Sequence, residues 1–137
     1  MIKVTDKHGD RLLRMAPALV RPALAEELEY GARVIADDAA KSIRAGGSSG
    51  RAHVPSAPGQ PPNADTGDLD SSIRPIETID LPGEVRSGVI ADSDHALYQE
   101  RGTSKMEARP FLEPAAERHR AEIFEALVGR FREMRGR

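Results

Sequence analysis

The feature that most constrains this chain is a long run rich in glycine, proline and serine between residues 45 and 62. Eleven of these eighteen residues are Gly, Pro or Ser. Such a run has little to bury, so its own contacts do not offset the entropy that is lost on ordering. A loop of this length in a compact domain is usually functional or ordered by a partner. We predict a flexible loop over residues 45–64 within one domain that spans residues 1–137.

The segment before the loop has the spacing of an amphipathic helix. Pro22 suits the first helical turn, and Gly46-Gly47 ends the pattern. This predicts a helix from about 22 to 44 with one buried stripe, which consists of Leu24, Leu28, Gly31, Ile35, Ala39 and Ile43. Nearer the N-terminus, residues 2–5 alternate as a short edge strand does, and residues 12–15 fit one helical turn.

The segment after the loop predicts a short helix and a hairpin. Asp65 or Thr66 can cap a short helix that carries Leu69 and Ile73. Strands over 73–79 and 85–91 flank Leu81-Pro-Gly-Glu84, whose proline and glycine stand where a type II turn needs them. These two strands therefore read as an antiparallel hairpin.

The last third of the chain predicts two further helices. Residues 94–101 fit a helical turn, and Pro114 suits the first turn of a C-terminal helix with Ile123, Leu127, Phe131 and Met134 as its apolar stripe. Phe111 precedes that helix and is expected to be a core anchor. Together the elements predict an α+β fold: a long N-terminal helix and a C-terminal helix packed on a small antiparallel β-sheet, with a long flexible loop.

Composition excludes several classes of site and protein. The chain has no cysteine, which excludes disulfides, cysteine nucleophiles and thiolate metal sites. No apolar run approaches the roughly 20 residues that span a bilayer, and the N-terminus has no hydrophobic signal core, so we expect a soluble, cytoplasmic chain. Net charge is -2 but uneven: residues 60–100 carry nine acids against two arginines, and residues 101–137 carry nine basic groups against six acids. This uneven distribution of charge suits copies that stack acidic face to basic face in an assembly, although charges on solvated faces produce it too.

Few residues suggest catalysis. Asp65-Thr-Gly67 is the tripeptide that holds the catalytic carboxylate of aspartic proteases, and a short chain can supply the second carboxylate by dimerising. Here Pro61-Pro-Asn-Ala64 precedes it instead of a hydrophobic strand, which favours a helix cap. The four histidines are isolated, so we predict no catalytic residue, no metal site and no cofactor. Six arginines on the C-terminal helix suit a solvated face or contact with a nucleic-acid backbone.

Several short motifs occur in an order that resembles a known family. After the first helix come His53-Val-Pro-Ser-Ala-Pro-Gly-Gln-Pro-Pro62, Asp65-Thr-Gly-Asp-Leu69, Ala96-Leu-Tyr-Gln-Glu-Arg-Gly-Thr103 and Ala108-Arg-Pro-Phe-Leu-Glu-Pro-Ala115, then a helix. This order is similar to the tail-completion, or head–tail joining, proteins of long-tailed bacteriophages, over almost the whole chain. The recurrent positions of that family correspond to Thr66, Gly67, Leu69, Tyr98, Glu100, Gly102, Thr103, Arg109, Pro110, Phe111 and Pro114. Arg101 departs from it, because the family has an apolar or aromatic residue there.

The resemblance implies a structural virion protein without catalysis. It implies a ring, of six copies by analogy, that joins the DNA-filled head to the tail in the particle's neck. The implied partners are further copies of the chain, head-closure proteins, tail-terminator or tail-tube proteins, and non-specifically the DNA in the channel. It implies no membrane and no small-molecule substrate, and assembly takes place in the cytoplasm of the bacterial host. Residues of the long loop, namely Arg51, His53, Val54 and Pro55, are candidate interface residues. A small independent binding or toxin-like domain, or remotely a dimeric hydrolase of the aspartic-protease kind, is the alternative.

Overall fold

The computed structural model describes residues 20–47, 50–81 and 84–135. Along the chain it has helix α1 (Arg21–Ala45), a 3-10 turn (Gly50–Ala52), helix α2 (Asp68–Ser71), strand β1 (Ile73–Leu81), strand β2 (Glu84–Ala91), helix α3 (Ala96–Arg101) and helix α4 (Leu112–Arg135). The two long helices pack on a two-stranded antiparallel sheet, which confirms the predicted α+β class. The predictions for residues 2–5 and 12–15 lie outside the described residues. No helix within the described ranges is long and apolar enough to cross a membrane.

Helix α1 is the central element of the fold, because it contacts both strands and also α4. Its buried residues are Leu24, Gly31, Ala32, Ala36, Ala39, Ala40 and Ile43. The prediction of one buried stripe was therefore too narrow, since a helix with neighbours on two sides needs a wider apolar surface. At Gly31 the helices approach so closely that a Cβ atom would lie 2.8 Å from Ile123 Cδ1.

The hairpin pairs Ile73 with Ala91 at its base and Leu81 with Glu84 at its end, as the sequence predicts. Its register shifts by one residue between Ile76 and Ile79, where β1 has one residue more than β2, as in a β-bulge. Both strands are slightly longer than predicted, and the Pro82-Gly83 turn lies outside the described residues. The guanidinium of Arg21, at the start of α1, contacts Asp80 and the carbonyl oxygens of Leu81 and Glu84. The end of the hairpin is thereby fixed to the first turn of α1.

Two apolar clusters form the core. The larger one joins α1, the sheet, α3 and the start of α4, and its fully buried large side chains are Ile43, Phe111 and Leu112. The smaller one lies towards the end of the hairpin, where Val20, Leu24, Val85 and Leu127 are buried and Ile123, Phe131 and Met134 pack against them. These contacts confirm the predicted stripe of the C-terminal helix and the burial of Phe111.

Helix α2 differs from its prediction at both ends. Gly67, at a φ of 87°, is the N-cap residue, and Ile73 is the first residue of β1 and not part of the helix. The predicted cap, Thr66, instead accepts a hydrogen bond from the Asp68 amide at 3.3 Å and donates one to Asp68 Oδ2 at 2.7 Å. The short helix is present, but the prediction that Asp65 or Thr66 caps it was wrong, because no side chain among the described residues caps this helix and Gly67, in left-handed conformation, lets the chain enter it one residue after Thr66.

Candidate functional site around helix α3

The side chain of Glu100 caps helix α4 from outside that helix. Its Oε2 accepts hydrogen bonds from the amides of Phe111 (2.9 Å) and Leu112 (3.0 Å), and its Oε1 accepts one from the amide of Glu113 (2.8 Å). Glu100 is 6% exposed, so these bonds satisfy a buried charge and three amides that have no partner inside the helix. The negative charge also faces the positive end of the helix dipole. One carboxylate therefore fixes α3 to the start of α4.

Gly102 and Thr103 turn the chain after α3. The Gly102 amide donates to the Tyr98 carbonyl at 2.8 Å and closes the helix. At a φ of 71°, Gly102 adopts backbone geometry that favours glycine, and a Cβ atom there would lie 2.7 Å from the Met106 oxygen. The Thr103 amide then donates to that same Met106 oxygen at 2.7 Å. These two motif positions have a conformational role.

Arg109 connects α3 with the loop that precedes α2. Its amide donates to the Gln99 carbonyl at 2.6 Å, and its Nε donates to the Ser56 carbonyl at 3.0 Å. Beside it, the Gly59 amide donates to the Ala108 carbonyl at 2.9 Å. The structure thus places part of the predicted flexible loop against the segment that follows α3. The flexibility of the loop stays a prediction. The hydrogen bonds at Ser56 and Gly59 must break before this part of the loop can move.

The remaining motif positions support the core. Phe111 is fully buried, Pro110 and Pro114 are half-buried on either side of it, and Leu69 packs against the larger cluster. Pro114 lies in the first turn of α4, as predicted. Sequence reasoning missed Asp70, which is buried and accepts a hydrogen bond from Arg44 Nε at 2.6 Å. No local signal joins two residues that lie so far apart in the chain.

The exposed part of this region combines apolar and basic side chains. On α3, Leu97 is 44% exposed and Tyr98 is 52% exposed, while Arg101 is exposed at the helix end. In the loop, Arg51, Val54 and Pro55 are exposed, and half-buried His53 lies 3.9 Å from Asp65 (His53 Nδ1 to Asp65 Oδ1). The predicted interface loop and the exposed residues of α3 flank Ser56 and Gln99, the two partners of Arg109. We call Leu97, Tyr98 and Arg101 the α3 surface.

The surroundings of Asp65 differ from those of the catalytic carboxylate in aspartic proteases. Asp65 lies exposed in the loop before α2, and not at the end of a strand. Within residues 20–47, 50–81 and 84–135, no group of three or more His, Asp or Glu side chains is placed to hold a metal ion. Arginines of α4 lie beside acids: Arg120 Nη1 is 3.2 Å from Glu117 Oε1, and Arg130 Nε is 3.9 Å from Glu27 Oε1. This part of α4 presents mixed charge to solvent.

A polar clasp joins the two long helices. Asp38 Oδ2 on α1 accepts a hydrogen bond from Arg118 Nε at 2.9 Å and lies 3.0 Å from His119 Nε2. Burial would raise the pKa of Asp38, but the hydrogen bonds and positive charges of Arg118 and His119 outweigh it. The pKa of Asp38 consequently lies below its ordinary value. The clasp adds an ionic contact to the apolar packing of the two helices, as the pair of Arg130 and Glu27 also does.

Comparison of the chain with protein families, with curated protein sequences and with solved structures finds no match. The functional argument therefore depends on the motif order and on the geometry around α3.

Proposed function

We propose that the protein is a structural component of a bacteriophage or prophage neck, where copies form a ring that joins the head to the tail. The proposal rests on the resemblance of the motif order to tail-completion proteins. By that analogy the ring has six copies and contacts head-closure and tail-terminator or tail-tube proteins, and the DNA passes through its channel. The protein contributes contacts and no catalysis.

The contacts of the motif residues support the proposal, because these residues divide into a structural set and an exposed set. The polar atoms of Glu100, Arg109 and Thr66 bond to the backbone or to a neighbouring side chain. Glu100 and Arg109 therefore hold the shape of α3 and its surroundings, and Thr66 that of the turn into α2. Tyr98, in contrast, is largely exposed beside Leu97, and exposed aromatic residues are enriched at protein interfaces. A rigid segment that presents apolar side chains suits a protein that works by binding other subunits.

The α3 surface gives the direct test. Particles would be assembled from a gene set in which this chain is replaced by the double variant Leu97→Ser/Tyr98→Ser, and joined particles would be counted by electron microscopy. We expect separate heads and tails, although the variant stays folded, because both side chains lie about half in solvent. Tyr30→Ser is the matched control, since Tyr30 is 64% exposed on α1 and belongs to no motif. Normal joining by the double variant would contradict the proposed role of this surface.

The hydrolase alternative has a separate test. Asp65→Asn removes the carboxylate that any aspartic-protease mechanism requires and changes little else at an exposed position. We expect Asp65→Asn particles to join heads and tails normally. Loss of joining with a well-folded Asp65→Asn protein would favour catalysis. Neighbouring genes for head-closure and tail-tube proteins would separate the neck protein from an independent binding domain.

A further inference from the structure

Residues 50–62 form a segment that we call the strap, and its contacts differ from those of the core. Most of its side chains are exposed, and Pro62 is its one buried residue in the described part of the chain. Backbone polar atoms of the strap bind Ala108 and Arg109: the Gly59 amide donates to the Ala108 carbonyl, and the Ser56 carbonyl accepts from Arg109 Nε. It is therefore held by hydrogen bonds and by little apolar burial.

The base of the strap is fixed independently of Arg109. Asn63, which follows the strap, packs so tightly on Gly46 that a Cβ atom there would clash with its side chain. The Ala64 amide donates to the Ile43 carbonyl at 3.2 Å, and Asn63 Nδ2 donates to the Val54 carbonyl at 2.8 Å. The two ends of this loop thus meet at the end of α1, as in compact Ω-loops. Release at Arg109 leaves this base in place.

Two side-chain oxygens at the seam, which is the contact of Arg109 with Ser56 of the strap and Gln99 of α3, have no hydrogen-bond partner in the part of the chain that the structure describes. Ser56 Oγ and Gln99 Oε1 are both buried and have no hydrogen-bond partner. They belong to the two residues whose carbonyl oxygens Arg109 binds. Burial without a partner favours opening, since both oxygens regain water when the strap lifts.

From these contacts we propose that the strap is a releasable latch: its residues 55–61 open together at Arg109, while the base formed by Asn63 and Val54 and the rest of the fold stay intact. Opening releases Arg109 Nε from the Ser56 carbonyl and the Ala108 carbonyl from the Gly59 amide. These released groups lie beside Gln99, whose carbonyl binds the Arg109 amide and which follows Tyr98 of the α3 surface in the chain. A role of this opening in subunit assembly rests on the proposed function. The opening itself does not depend on that function.

Native-state hydrogen exchange of the isolated protein tests the latch without any assembly. The Gly59 amide should exchange through a local opening, with a rate that hardly depends on low urea concentrations. Amides in the middle of α1 should exchange through global unfolding, with a steep dependence on urea. If the Gly59 amide shares the rate and the urea dependence of the α1 amides, the strap does not open separately and the proposal is wrong.

Substitutions of Arg109 test whether its side chain keeps the strap closed. Arg109→Gln should speed Gly59 exchange about tenfold or more with α1 exchange unchanged, because a charged donor to the Ser56 carbonyl is lost. Arg109→Lys keeps the charge and a donor and should fall between Arg109→Gln and the unaltered protein. An unchanged Gly59 rate in Arg109→Gln would overturn the latch.

Ser56→Ala tests whether the buried hydroxyl of Ser56 destabilises the closed position of the strap. It removes a buried hydroxyl that lacks a partner, so we expect slower Gly59 exchange and a tighter strap. Faster exchange in Ser56→Ala would mean that the hydroxyl stabilises the closed seam, for example through a bridging water, and would contradict the proposal. These readouts come from the isolated chain, so failure of head–tail joining leaves them unaffected.

Discussion

At the scale of single residues, two aromatic side chains of the same motif region have opposite environments. Phe111 is fully buried at the start of α4, whereas Tyr98 lies half in solvent on α3. We expect Phe111→Ala to lower the free energy of unfolding by about 3–5 kcal/mol, through lost transfer energy and a cavity. Tyr98→Ala should change it by about 0.5 kcal/mol or less. Urea denaturation measures both, and a loss below about 1 kcal/mol for Phe111→Ala would contradict its anchoring role.

Glu100 is the second residue with a defined task. Glu100→Ala removes the acceptor of three amides at the start of α4 and should cost about 1.5–3 kcal/mol or more. Glu113→Ala is the matched control, because Glu113 is an exposed acid in the same helical turn. It should cost about 0.3–1 kcal/mol, the scale of a charge near a helix end. Equal losses in the two variants would show that charge, and not capping, is what matters there.

At the scale of elements, the contact between α1 and α4 contains a titratable group. The lowered pKa of Asp38 means that its carboxylate stabilises the fold fully above about pH 4, the ordinary value for aspartate. That contribution is lost as the pH falls through the lowered pKa, because protonation removes the charge that Arg118 and His119 bind. We expect the stability difference between the unaltered protein and Asp38→Asn to be smaller below pH 4 than at pH 6. Urea denaturation at pH 6 and pH 3 measures it, and an equal difference at both would contradict the role of the charge.

At the scale of the whole molecule, stability is unevenly distributed along the chain. Arg51 and Arg33 are both exposed, but Arg33 lies in α1, which is buried between the sheet and α4. Cleavage after Arg33 requires α1 to unfold locally, whereas cleavage after Arg51 requires only local movement of the loop. We expect trypsin to cut the native protein after Arg51 first. Mass spectrometry of early fragments checks the order, and equal protection of the two arginines would contradict it.

The sequence predicted what depends on local pattern. Periodicity placed both long helices, alternation placed the hairpin, and a lone phenylalanine before Pro114 marked the core anchor. The second buried side of α1 was missed, because Ala32, Ala36 and Ala40 carry little hydrophobic signal until a neighbouring element covers them. The capping role of Glu100 was missed because it connects positions eleven to thirteen residues apart, and no local pattern encodes that distance.

The cap at Glu100 also determines how the molecule carries mechanical load. A partner that pulls on Leu97 or Tyr98 pulls on α3, and a direct route from α3 to the long helix α4 runs through one carboxylate. Three hydrogen bonds share that load and resist together, so strain passes from the surface into the fully buried Phe111 and Leu112. A force applied at Leu97 or Tyr98 is thus transmitted through Glu100 to the most deeply buried residues at the start of α4.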